Sequence, residues 1–200
     1  MAGTFPTTNF TSMGWQSNNN IVTTETLTNK IYSKDLGGHY WSFTLSSVPL
    51  TRSDFDTVWA FLLQQKGSFD TFSIKPPQIH TTKGTFSNAS GTNLPVTGSA
   101  AVGATTVTVT PSGSGTLKAG DLIKFDNHDK VYVLTGDKSL SDTVQTTINI
   151  FPALISALTV AESTLTEDVT MQVRLQNDVQ EFKTDVDNVY SYEIDVRESL

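Results

Sequence analysis

Two stretches in the first quarter of the chain alternate apolar and polar residues with the two-residue period of a β-strand. In residues 21–32 apolar side chains share one parity and threonines the other, namely Ile21, Leu27 and Ile31 against Thr24, Thr26 and Thr28. Residues 39–48 alternate in the same way around Trp41, Phe43 and Leu45. Gly37 and Gly38 lie between the two stretches and suit a turn, because glycine adopts positive φ at little cost. The pattern predicts one long hairpin with an exposed threonine face.

The stretch after residue 48 has the spacing of an α-helix. Within residues 52–66 the apolar side chains recur three and four residues apart, and they are Phe55, Val58, Trp59, Leu62 and Leu63. Thr51 or Ser53 can cap the first turn, Lys66 is expected in the last turn, and Gly67 can end the helix in a left-handed conformation. We therefore expect one amphipathic helix packed on a sheet.

The middle of the chain predicts a second group of short elements. A short strand is expected at 69–74, followed by a polar linker at 78–102 that is rich in Gly, Ser, Thr and Asn. Further strands are expected at 105–110, 121–125, 130–135, 146–151 and 169–175, with a turn of helix within 152–160. Strands of this length and spacing are typical of a small SH3-like or OB-like barrel.

The last strand, 189–196, has no local partner. Tyr190, Tyr192, Ile194 and Val196 alternate with polar residues along it, so we expect it to pair with the N-terminal sheet. This pairing predicts a domain built from 1–78 and 173–200, with 79–172 inserted into it. The predicted fold is mainly β, a β-sandwich or barrel core with one packed helix plus the inserted small barrel.

The composition of the chain argues against several classes of function. The net charge is −7, which disfavours an ordinary nucleic-acid binder, and the chain has no cysteine for disulfides or thiolate metal sites. No apolar stretch approaches the roughly 20 residues of a membrane span, and the N-terminus shows no secretory signal, so no membrane association is expected. The sequons at Asn9 and Asn88 are interpreted as chance matches.

No residue pattern indicates catalysis. Residues 126–129 (Asp-Asn-His-Asp) favour a hairpin turn over a metal site, and residues 185–188 favour an acidic loop over a calcium site. A nucleophile elbow and a phosphate-binding loop are both missing from the sequence. We therefore expect a protein that is not an enzyme, with no catalytic residues, no metal and no cofactor.

Aromatic residues leave one alternative open. Trp15, Tyr40 and Trp41 could form a platform on which sugars stack, although the alternation of Trp41 with Phe43 favours core packing for that residue. A carbohydrate-binding adhesin module of a virion or cell surface is therefore the competing interpretation.

The order of parts resembles a known family. A hairpin leads into the capped helix Arg-Ser-Asp-Phe-Asp-Thr-Val-Trp-Ala-Phe-Leu at 52–62, then into Gly-Ser-Phe at 67–69, a Pro-Pro exit, an inserted β-domain and a returning strand. Within the insert, residues 117–123 (Leu-Lys-Ala-Gly-Asp-Leu-Ile) and 130–132 (Lys-Val-Tyr) also match. This resembles the distal tail proteins of siphophages.

The resemblance implies a structural virion protein, assembled in the bacterial cytoplasm as a hexameric ring. Such a ring joins the tail tube to the tip or baseplate hub and lets DNA pass transiently through its channel. A long strand with a free edge needs a covering partner, and another copy would supply one. The residues that we expect at the subunit interface are Ile21, Thr24, Thr26, Thr28, Tyr32, Tyr40, Tyr190 and Tyr192.

Overall fold

A computed structural model describes residues 3–6, 9–86, 94–185 and 188–200. The chain divides into two compact units, the first made of Met1–Phe72 with Val173–Ser199 and the second of Ser73–Gln172 with Leu200. The described residues contain one helix, α1 (Arg52–Gln64), and fifteen strands. The strands are β1 (Phe10–Asn18), β2 (Ile21–Glu25), β3 (Ile31–Asp35), β4 (Tyr40–Ser47), β5 (Phe72–Ile74), β6 (Thr106–Val109), β7 (Gly115–Leu117), β8 (Leu122–Phe125), β9 (Val131–Leu134), β10 (Lys138–Leu140), β11 (Thr146–Phe151), β12 (Thr164–Leu165), β13 (Met171–Leu175), β14 (Phe182–Thr184) and β15 (Tyr190–Glu198). The prediction of a mainly β fold with one helix is confirmed.

The main sheet has the strand order β1-β4-β15-β13-β5, and β14 also pairs with β15. The C-terminal strand β15 lies antiparallel to β4, with Val196 opposite Phe43 and Ile194 opposite Leu45. These four side chains are buried, because the alternation of both strands places them on one face. The expected return of the last strand to the N-terminal sheet is therefore confirmed.

The hairpin at the start of the chain differs from the prediction. Strand β4 pairs on its other edge with β1, a strand that the sequence pattern did not reveal. Strands β2 and β3 pair only with each other and form a separate two-stranded ribbon between β1 and β4. Thr26 and Thr28 lie in the turn of this ribbon and not in a strand. The predicted strand 21–32 thus folds back on itself, and Gly37 and Gly38, both at positive φ, connect β3 to β4.

Helix α1 begins as predicted but ends earlier. The Thr51 hydroxyl caps it by accepting a hydrogen bond from the Asp54 amide at 3.5 Å. Gln65 is the C-terminal cap, and Lys66 and Gly67 follow at positive φ, so Lys66 lies beyond the last turn. The helix therefore ends in left-handed residues, with no basic residue in its last turn.

One residue of the predicted apolar stripe is not in the core. Phe55, Val58 and Leu62 are buried and Trp59 is half-buried, but Leu63 is 56% exposed. At 3.6 residues per turn, Leu63 lies about 80° around the helix from Phe55, at the margin of the buried face. The prediction that Leu63 packs in the core is wrong for this reason.

Phe69 is a second correction, because it is 74% exposed and the predicted strand at 69–74 begins only at Phe72. Phe72 and Ile74 are both buried on one face of that strand, as predicted.

The second unit contains the open sheet β12-β8-β9-β11-β6 and the ribbon β7-β10. Both contribute to one hydrophobic core, the ribbon through Leu117 and Leu140. The strand order of the described residues does not close into the small barrel that we expected, because β7 and β10 pair with each other instead of with the larger sheet. Residues 152–160 form bends and a bridge to Ala100 in place of the predicted turn of helix.

The predicted linker at 78–102 is also partly wrong. Phe86, Leu94 and Val96 are buried in the core of the second unit, so these parts of the segment belong to the folded unit. Another part of the predicted linker, including the Asn88 sequon, falls on residues 87–93, which lie outside the described residues, as do residues 186–187 of the acidic loop.

The neighbouring leucines of α1 allow a matched test of the packing. We expect Leu62→Ala to lower the free energy of unfolding by about 2–5 kcal/mol, since it leaves a cavity, and Leu63→Ala by no more than about 0.5 kcal/mol. Chemical denaturation followed by tryptophan fluorescence measures this, because Trp15, Trp41 and Trp59 all lie in the first unit. Equal losses for both variants would contradict the assigned orientation of the helix.

Candidate assembly surface

The ribbon β2-β3 stands out because every residue of its two strands is exposed. We call residues 21–35 the arm. Val22 and Tyr32 lie on one face of the arm, and Ile21 and Ile31 on the other. An isolated two-stranded ribbon is at best marginally stable in water, and this one leaves apolar groups exposed on both faces. The arm is therefore a surface that a partner would stabilise.

The tip of the arm, residues 26–30, is held by its own hydrogen bonds. The Thr26 amide donates to the Lys30 carbonyl at 2.9 Å, and the Lys30 amide donates to the Thr26 hydroxyl at 3.2 Å. Asn29 has a φ of 58°, a left-handed conformation that asparagine tolerates better than most residues. This turn leaves the side chain of Leu27 fully exposed at the end of the arm.

The face of the main sheet opposite the buried side chains is polar. On β15 it carries Glu193, Asp195 and Arg197, each of which contacts β4. The Ser46 hydroxyl donates to the Glu193 carboxylate at 3.0 Å, and the Thr44 hydroxyl donates to Asp195. The alternation of 189–196 had already placed these two carboxylates outward, so the sequence held the signal for an acidic face.

A groove of about 720 Å³ lies at one end of this polar face. The lining residues come from β1, β4, β14, β15 and the segment before β14, and those used below are Ser46, Asp178, Val179, Glu181, Phe182 and Glu193. The alternation of 189–196 pointed to Tyr192 and Glu193, but the groove as a whole could not be predicted, because residues far apart in sequence form it.

Asp178 is fixed at the rim of the groove. Its carboxylate accepts hydrogen bonds from the Ser68 hydroxyl at 2.6 Å and the Ser68 amide at 3.0 Å. Both hydrogen bonds lower the pKa of Asp178 below its usual value, because they favour the charged carboxylate. The bond from the Ser68 hydroxyl has the larger effect and the bond from the Ser68 amide the smaller one. Asp178 therefore contributes negative charge to the groove at neutral pH.

The four tyrosines predicted at the interface differ in their surroundings. Tyr32 is exposed on the arm, and Tyr40 is half-buried beneath the Arg197 guanidinium, 4.5 Å from the ring centroid. Tyr190 is half-buried and stacks on Phe55. Tyr192 is only 4% exposed, packs on the helix side of the sheet beside Phe55 and also lines the groove, so its contact with another subunit stays a prediction.

The other predicted interface residues lie on the arm. Ile21 and Thr24 are exposed in β2, Thr28 is exposed in the tip, and Thr26 is half-buried there by the hydrogen bonds described above. The structure thus brings these residues together in one ribbon, apart from Tyr40 and the two tyrosines of β15.

The aromatic residues considered for sugar stacking do not share a surface. Trp41 is buried, as core packing predicted. Trp15 stacks on Phe43 with a centroid distance of 5.3 Å on the buried face, while Tyr40 lies on the polar face. A single platform of these three side chains is therefore not formed.

His128 lies in the segment for which a metal site was the alternative to a hairpin turn. Residues 126–129 form the turn between the antiparallel strands β8 and β9, as expected. His128 is buried in that turn and hydrogen-bonded to the Tyr132 hydroxyl at 2.9 Å, and burial lowers its pKa. Within the described part of the chain, no group of three or more His, Asp or Glu side chains is placed to hold a metal ion.

The exposure of the arm predicts its hydrogen exchange. In dilute protein, we expect amides of residues 21–35 to exchange at least about 100-fold faster than the paired amides of β4, because the ribbon opens locally without loss of core contacts. Hydrogen–deuterium exchange mass spectrometry at low and high protein concentration measures this. Protection of the arm equal to that of β4 at the lowest concentration would contradict the account.

Comparison with known proteins adds two findings. Residues 81–169 match the family model described as "Distal tail protein pb9, B domain". The chain is also 24% identical over 201 residues to the distal tail protein pb9 of Escherichia phage T5, a match that spans 98% of this chain and 95% of that protein. No helix among the described residues is long and apolar enough to cross a membrane. The two matches agree with the resemblance drawn from the sequence, and this chain is similar to phage distal tail proteins.

Proposed function

We propose that this chain is a subunit of a hexameric ring at the distal end of a phage tail, where the ring joins the tail tube to the tip or baseplate hub. The observation that carries the proposal is the arm, whose apolar residues are exposed on both faces of an unsupported ribbon. A neighbouring copy that covers the arm would remove this exposed surface and order the ribbon.

An edge of the main sheet supports the same proposal. Among the described strands, β1 is nine residues long and pairs only with β4, so its outer edge has no partner strand. An unpaired edge of this length is a template for pairing with another chain. Contact with an identical subunit would satisfy these backbone groups within a closed assembly.

The charge of the chain suits the proposed channel. A net charge of −7 includes the outward carboxylates of β15, and negative groups repel the phosphate backbone of passing DNA. DNA would then move through the ring without adhering to it. A solved ring with a basic lumen would contradict this part of the proposal.

The proposed role is mechanical. The subunit contacts other copies, the tail tube and the hub, and it performs no catalysis and needs no cofactor. Residues 1–78 and 173–200 would form the ring, and residues 79–172 would form an independent insert. The match of a domain family to 81–169 supports this division.

A substitution on the arm tests the ring. We expect Ile31→Asp to raise the protein concentration needed for ring formation at least about tenfold, because it places a charge in a surface that becomes buried. Light scattering coupled to size-exclusion chromatography measures the mass against the 21.8 kDa of one chain.

The matched control is Val160→Asp, since Val160 is 60% exposed in the second unit and Ile31 is 66% exposed on the arm. The control should assemble like the unchanged protein. A wild-type chain that remains at one-subunit mass at every concentration, with or without other tail proteins, would overturn the proposal.

The division into domains has its own test. We expect residues 79–172 expressed alone to fold, because every described residue of the hydrophobic core cluster of the second unit lies within that segment. Dispersed amide resonances in a proton–nitrogen NMR spectrum would support the proposed boundary. A spectrum of an unfolded chain would show that the insert depends on the rest of the protein.

A further inference from the structure

The arm and the groove lie at opposite ends of the same strands. The arm leaves the sheet between Asn18 and Tyr40, which are opposite each other in β1 and β4. The groove is lined by Ser46 at the other end of β4, six residues from Tyr40, which corresponds to about 20 Å along an extended strand. Because the strand residues of the arm are all exposed, the arm does not pack on the sheet of its own copy.

The groove and the tip of the arm are chemically complementary. Val179 is 72% exposed and Phe182 is 42% exposed, so the groove offers uncovered apolar surface. Carboxylates surround that surface, including Glu181 and Glu193, and among the described lining residues Lys183 is the one basic side chain. The tip carries the opposite charge and the same apolar character, with the exposed Leu27 three residues before Lys30.

We propose that the arm tip of one copy inserts into the groove of the next copy. Leu27 packs against Val179 and Phe182, and Lys30 lies beside Glu181 and Glu193. This inference rests on the proposed ring and adds to it the pair of surfaces that make the subunit contact.

The placement of the two surfaces determines the kind of assembly. An arm tip and a groove are different surfaces, so their contact is heterologous and each copy both inserts a tip and receives one. Heterologous contacts form a closed ring when the rotation between neighbours closes, and open filaments when it does not. In a closed ring no tip and no groove is left without a partner, which agrees with the exposed apolar residues on both surfaces of the single copy.

Cross-linking tests the contact directly, since the chain contains no cysteine. We expect the double variant Leu27→Cys/Val179→Cys, treated with a short bis-maleimide, to give a ladder of covalent oligomers in a denaturing gel. In the same gel, each single-cysteine variant should give no band larger than a dimer. The matched control is Leu27→Cys/Val144→Cys, because Val144 is exposed in the second unit, and it should give no ladder.

Charge reversal gives a second readout that does not require added thiols. We expect Lys30→Glu and Glu181→Lys each to raise the concentration for ring formation about tenfold, because like charges then meet at the contact. The variant that carries both reversals should form rings at a concentration within about threefold of that of the unchanged protein. Lys138→Glu, in the second unit, changes the net charge as Lys30→Glu does and should leave assembly unaffected.

The outcomes separate this inference from the proposed function. Rings that form normally, without a ladder and without rescue by the double reversal, would overturn the tip-and-groove contact and leave the ring in place. A wild-type chain that forms no oligomer would overturn the ring itself. A ladder together with the charge rescue would establish the contact.

Discussion

The pairing of β4 with β15 is the interaction on which the rest of the structure depends. It joins residues about 150 positions apart and buries Phe43 and Leu45 against Val196 and Ile194 in one layer. The two ends of the chain build one sheet, and the chain leaves this sheet after β5 and returns to it at β13. The segment between these two strands has enough apolar residues for a core of its own. Loss of this pairing would separate α1 from the sheet that covers it, since Phe55 packs on Tyr190 and Tyr192 of β15.

The same pairing explains why the arm is exposed. Strand β4 has β1 on one edge and β15 on the other, so both of its edges are occupied. The residues between β1 and β4 therefore cannot join the sheet beside β4 and form a ribbon of their own. Because β4 is paired on both edges, the ribbon and the outer edge of β1 are left for contact with other molecules. Both are properties expected of a protein that acts by assembling.

The sequence predicted the elements whose signal is local. The cap at Thr51, the buried stripe around Phe55 and Leu62, and the turn at 126–129 depend on neighbouring residues, and all are present. The return of β15 could be predicted because its alternation matches that of β4. Strand β1 was missed because its serine, glycine and glutamine residues hide the alternation of Met13 and Trp15.

The predictions that failed needed tertiary information. The strand at 21–32 was divided by a turn whose stability comes from side-chain hydrogen bonds of Thr26, which no period reveals. Leu63 was misassigned because helical phase identifies a face of the helix without showing what covers it. The groove combines β1, β4, β14 and β15, so only the fold brings it together. Negative-stain electron microscopy of the purified protein tests the central claim, that surfaces uncovered in one copy are covered by identical copies. We expect annular particles with sixfold symmetry, and single-subunit particles at every concentration would contradict the coverage of these surfaces by identical copies.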